Sequence, residues 1–212
     1  MIQFYRMSNK FLNILVLVVL SFGANAQNIE AFYLNMPDNL NPTLSKKNRL
    51  EVLEYYKAGQ IDSTNNRFGN KVQVLTLDTI NKLVVVKNSA SSIFEMKILQ
   101  LADSTWAIGI IRTVCAPICS SSLEFYDTSW KKIKVPVVIP KAIDWINKKV
   151  EIPENIDVEW INNTLEDSFV SYSFDANTHD IVVQNNSLEF QSEENRKILL
   201  PFLLDAKFRI RL

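Results

Sequence analysis

Four glycines, two cysteines and one histidine among 212 residues leave this chain short of the residues on which many catalytic motifs are built. Gly23, Gly59, Gly69 and Gly109 stand at least ten positions apart. A Rossmann fingerprint or a P-loop needs closely spaced glycines, so that the backbone can turn tightly and approach phosphate. Nucleotide-binding enzymes of those classes are therefore excluded, and no cofactor is indicated. Net charge is missing as well. The 23 Lys and Arg balance 23 Asp and Glu, which argues against a nucleic-acid partner held by phosphate neutralisation. The hydrophobic share of 47% and the charged share of 22% are those of a globular protein with enough apolar residues for a full core.

The first residues read as an address. Arg6 and Lys10 come before an apolar run, FLNILVLVVLSF, and then Ala24-Asn25-Ala26. A basic start, a short greasy stretch and a small-x-small site make a Sec-type signal peptide over residues 1–26, with cleavage after Ala26. The apolar run is too short for a spanning helix, which needs about 20 residues. No cysteine follows the small residues, so a lipoprotein anchor is not indicated. Losing Arg6 and Lys10 leaves 21 bases against 23 acids in the mature chain. No later segment is long and apolar enough to span a membrane.

Export sets the expectation for Cys115 and Cys119, because an oxidising compartment favours a disulfide. In C-A-P-I-C the bond would staple a turn around Pro117 between two strand-like runs. A redox or metal role is the weaker reading. Redox pairs favour C-x-x-C, and a zinc site would need two further ligands from a chain with one histidine.

The mature chain, residues 27–212, reads as a single α+β domain, with a smaller C-terminal lobe from about residue 140 as an option. Phe32, Leu34 and Met36 alternate like a short strand. Residues 43–58 form an amphipathic helix with Leu50, Leu53 and Tyr56 inside, Ser45 as N-cap and Gly59 as C-cap. From Lys71 the period becomes two, and five or six strands with short turns, the last over residues 132–138, describe an antiparallel meander. Such a sheet buries one face, and the early helix is its natural cover. Pro140 begins a helical pattern through Ile143, Trp145 and Ile146 and on to Ile156, Trp160, Ile161 and Leu165. A hairpin around Ala176-Asn177-Thr178, a short helix stopped by Pro201 and a strand at Phe208 and Ile210 close the chain.

Candidate chemistry is sparse. Any histidine-dependent triad must pass through His179, which sits at a hairpin tip without a G-x-S-x-G elbow or a catalytic-cysteine signature around Cys115 or Ser120-Ser121-Ser122. Asp175, Asn177 and Asp180 have calcium-like spacing, yet these residues also favour turns for local reasons. No metal site is assigned on that pattern. Trp106, Trp130, Trp145 and Trp160 are spaced as core residues, although a glycan platform would use the same residue type.

F-Y-L-N-M-P-D, P-T-L-S-K-K-N-R-L-E-V-L-E-Y-Y-K-A-G and later R-T-V-C-A-P with S-S-S-L-E-F-Y-D-T-S-W carry a resemblance over residues 32–130. The chain resembles a family of exported Bacteroidetes proteins described only as a domain of unknown function. The resemblance implies a secreted or periplasmic α+β protein and supplies no catalytic residues. Together these readings favour a non-catalytic binding or interaction module of the periplasm or cell surface, engaging an envelope protein or a glycan. A hydrolase with a site assembled from distant residues and an envelope assembly factor are the alternatives.

Overall fold

A computed structural model describes residues 28–60, 64–165, 169–204 and 207–212. The expected export segment lies outside the described residues. The architecture is α+β, organised around a seven-stranded antiparallel sheet in strict chain order: β1 (Thr64–Asn65), β2 (Lys71–Asp78), β3 (Leu83–Ser89), β4 (Ser92–Gln100), β5 (Trp106–Cys115), β6 (Cys119–Tyr126) and β7 (Lys132–Ile133). No helix among the described residues is long and apolar enough to cross a membrane.

The meander forms because its strands alternate, but the alternation places apolar residues on both sides. On β4, Phe94, Met96 and Ile98 face one cluster while Leu99 faces another, and every residue from Phe94 to Leu99 is buried. The expectation of a sheet with one wet face is therefore corrected. Two covers, not one, close it.

The first cover is helical. The short helix α1 (Ile29–Asn35) is capped by Asn28, whose side-chain oxygen accepts the Glu30 N–H at 3.0 Å. This helix replaces the strand expected at Phe32, Leu34 and Met36. Ile29 and Tyr33, one turn apart, are the residues it buries. Helix α2 (Lys46–Lys57) begins at Ser45 as expected, with a capping box to Asn48, and is followed by Gly59 at φ +72°. Its inner stripe differs from the expected one. Arg49, Val52 and Leu53 are buried, whereas Leu50 is 45% and Tyr56 38% exposed. A stripe drawn through apolar residues alone passes over the buried arginine.

The second cover is another sheet, of order β10-β9-β8, from β8 (Val170–Phe174), β9 (Ile181–Asn185) and β10 (Phe208–Ile210). Helices α3 (Val158–Thr164) and α4 (Glu193–Leu199) contribute Ile161 and Leu199 to the same cluster. The helix expected from Pro140 is only a 3-10 turn, Ala142–Trp145, separated from α3 by irregular chain with turns at Asn147–Val150 and Pro153–Ile156. The strand expected over residues 132–138 stops at Ile133. Beyond it Val135 and Val137 still turn inward while Lys134, Pro136 and Val138 stay exposed, so alternation survives without a ladder. Pro136 has no N–H to offer one.

Gly109 explains how closely the two sheets approach. A Cβ there would lie 2.6 Å from Phe174 Cζ and 2.9 Å from Leu99 Cδ1. The Phe174 ring rests where that methyl would be, so the strand passes under it only because glycine has no side chain.

Candidate functional site

Cys115 and Cys119 face each other as the last pair of the β5–β6 ladder, with sulfurs 1.96 Å apart in a disulfide. Bonded to each other, they are not available as nucleophile or metal ligands. Ser121 is committed as well. Its Oγ lies 2.7 Å from Thr113 Oγ1 and accepts the Tyr172 N–H at 3.0 Å. His179 is exposed on the loop joining β8 and β9. Partial desolvation and the nearby Lys97 and Lys82 charges hold its imidazole below the ordinary value. That loop is tied to Lys97, which stands opposite Gly109. Ser121 stands opposite Thr113, four residues along β5, roughly 13 Å at strand rise.

The loop with calcium-like spacing already holds cations, one on its backbone carbonyls and one on its acids. Lys97 Nζ reaches up from β4 and donates to the carbonyls of Asp175, Ala176 and Thr178, the last at 2.7 Å. Asp175 accepts the N–H groups of Asn177 and Thr178 on one oxygen and Arg209 on the other, which holds its carboxyl down at about 2, with the Arg209 bond the largest cause. Asp180 sits 3.8 Å from both Arg209 and Arg211. Among the described residues no group of three or more His, Cys, Asp or Glu is placed to hold a metal ion.

Two polar residues that the sequence reading passed over join the sheets. Glu95, buried on β4, accepts the Phe174 N–H at 2.9 Å, and burial pushes its carboxyl up to about 7. Lys97, two residues on, is also buried, and desolvation lowers its ammonium. Strand β8 is an edge of its own sheet. Its outward N–H groups at Tyr172 and Phe174 are taken by Ser121 and Glu95, so the edge is closed by side chains of the other sheet. The available signal was two charged residues at alternate positions inside an apolar strand.

The opposite condition holds on β6. Its ladder with β5 runs unbroken from Tyr126 to Cys119, whereas β7 pairs only with Phe125 and Tyr126. Residues 119–124 thus have no strand laddered to them on that flank among the described residues, although β8 packs on Ser121 through the Tyr172 N–H. Backbone direction follows from the ladder. The Cys115 N–H bonds Ser91 on the β4 side, so Cys119, Ser121 and Leu123 point their N–H and C=O groups away from β5. The Cys119 carbonyl is taken by Asn186 Nδ2 at 2.9 Å. Ser121 and Leu123 line a cleft of about 680 Å³ whose other walls are Tyr172 and the extended residues 132–139. Lys132 and Lys134, both exposed, stand at its rim, and Lys131 precedes them in the chain. The rim acid Glu124 already bonds Arg112, Lys132 and the Tyr126 hydroxyl, and these bonds, Lys132 first, draw its carboxyl down to about 2.

The tryptophans stand elsewhere. Trp145 is buried against the Phe208 ring, 4.5 Å between centroids, and Trp130 packs on Phe32 and Tyr126.

The model of a family described as "Protein of unknown function (DUF3256)" matches residues 21–209. Among solved structures, a domain of an uncharacterized protein from Porphyromonas gingivalis W83 is similar in fold, with a TM-score of 0.66 at 20% identity over 86% of this chain and 92% of that one. No curated protein matches the chain.

Proposed function

Since the chain belongs to this family of proteins of unknown function, its role has to be argued from its own surface, and we propose that it is an exported, non-catalytic binding module whose working surface is the open flank of β6. One observation carries the reading: a strand in a complete meander leaves backbone donors and acceptors at Ser121 and Leu123 facing a cleft. Exposed strand edges are usually shortened, paired or covered, and an uncovered one beside an apolar wall is suited to strand addition by a partner.

Export is supported by the leader pattern of residues 1–26 and by the bonded cysteine pair. The non-catalytic half rests on the committed state of Cys115, Cys119 and Ser121 and on the distance of the His179 loop from them. We further propose that residues 27–212 fold as one unit, because Phe174 on Gly109 and Lys97 in the 175–180 loop interlock the sheets.

A photo-crosslinking residue placed at the exposed Ser122 and, separately, at Ile80, which is 86% exposed far along the sheet, tests the surface in native cells. A discrete adduct from position 122 and none from position 80 is expected. Adducts from position 80 alone, or none from 122, overturn the reading. N-terminal sequencing of the same material should begin at Gln27, and a chain still starting at Met1 would remove export.

A further inference from the structure

We infer that the β6 flank takes an acidic, extended peptide segment of another protein, added as an eighth strand of the main sheet. This inference rests on the β6 edge being the binding surface. Strand addition uses the outward N–H and C=O groups of Ser121 and Leu123, which lie two residues apart as the repeat of a bound strand demands. Alternate side chains of the incoming segment then fall on two sides. One set enters the cleft against Leu123, Val135, Val137 and Tyr172 and must be apolar. The other set meets the rim.

The rim decides the charge. The residues lining the cleft include two lysines, Lys132 and Lys134, and a single acid, Glu124. Lys132 is already paired with Glu124, whereas Lys131 and Lys134 are exposed and make no ion pair among the described residues. Glu124 is held by two cations of its own and cannot welcome a basic partner. An acidic residue at every second position of the peptide therefore finds uncompensated positive charge, and a basic one finds repulsion. A neutral glycan offers no regular row of amide groups to match the edge. A second copy of this chain, docked β6 to β6, would bring its own Lys131 and Lys134 against these lysines.

The test is a titration of the isotopically labelled mature chain, followed by amide resonances, with a capped peptide alternating Glu and Val and with its Lys and Val counterpart. The Glu peptide should shift the Ser121 and Leu123 amides, and its affinity should fall about tenfold or more between low and high salt. N-methylation of the peptide on the amides facing β6 should abolish binding, whereas methylation of the alternate amides should leave it. Lys134→Glu, at an exposed position, should weaken the Glu peptide about tenfold and strengthen the Lys peptide. Equal binding of both peptides at β6 overturns the acidic partner and leaves the edge reading standing. Binding elsewhere, no binding by either peptide, or a dimer that buries β6 overturns the inference, and the crosslinking at Ser122 then reports separately on the edge.

Discussion

The two faces of the seven-stranded sheet are closed by different materials and pinned by different charges. On the helical face Arg49 is fully buried and its two terminal nitrogens donate to the carbonyls of Leu34, Met36 and Leu44 and to Asp38 Oδ1, the last at 3.0 Å. On the face covered by the second sheet, Glu95 and Lys97 hold the backbone of β8 and its loop. The first anchor is a guanidinium that stays charged at any ordinary pH, while the second pair consists of groups that titrate. Above the carboxylate range one face should therefore be indifferent to pH in its anchoring, since, against some desolvation, Arg49 holds Asp38 below its ordinary value, and the other should not.

The helical face offers the largest effect. Arg49→Met keeps volume and apolar contact but leaves three carbonyls facing a thioether chain. Stability measured by urea unfolding at pH 7 should fall by about 3–5 kcal/mol, since each buried carbonyl left without its donor costs about 1–3 kcal/mol. A loss below about 1 kcal/mol would mean that α1 and α2 are held by apolar packing alone and that the two faces do not differ in kind.

Glu95 sharpens the same comparison from the other side. In the unfolded chain its carboxyl ionises around its ordinary 4.5, and in the folded chain at about 7. Below the lower value both states hold the proton and the residue is neutral in effect. Between the two values the unfolded chain releases its proton first, so stability falls as pH rises, and the full loss is present above the upper value. The size is about 3 kcal/mol, from the difference between the two values. Glu95→Gln keeps an acceptor for the Phe174 N–H and cannot ionise. The variant should match the parent at pH 4 and exceed it at pH 8. A difference that stays flat from pH 4 to 8 removes the titrating anchor.

How far the sequence carried these features depends on what each residue's signal competes with. The meander was legible because alternation in β2 to β6 is strong and its turns are short. Helix α2 was legible in its cap but not in its phase, because Arg49 reads as a surface residue until its carbonyl partners are seen. Helix α1 was hidden for the opposite reason: Phe32, Leu34 and Met36 happen to alternate, and only the Ile29–Tyr33 spacing carried the helical period. The second sheet was read as hairpin and tail, correctly in its strands, but no local pattern says that those strands lie across the face of the first sheet. Glu95 and Lys97 were the trace of that arrangement. The open flank of β6 was not legible at all, since it depends on where β7 stops, and alternation continued past that point through Val135 and Val137.

Gly109 gives the smallest expected effect and the most local one. In an open strand, replacing glycine by alanine stabilises by about 0.4–1 kcal/mol, because the unfolded chain loses freedom. Here the added methyl would meet Phe174 Cζ at 2.6 Å, and the ring belongs to a strand already fixed by Glu95. Overpacking of this kind costs about 1–3 kcal/mol, so the sign of the change reports whether the sheets touch. Gly109→Ala should destabilise by roughly that amount, and in a Phe174→Leu background the penalty should shrink, since the shorter side chain withdraws the clashing atoms. No comparable coupling is expected between Gly109 and Tyr33, which lies on the helical face. If Gly109→Ala stabilises the parent chain, the second sheet is not seated on the first as described, and the contrast between the two faces loses its structural basis.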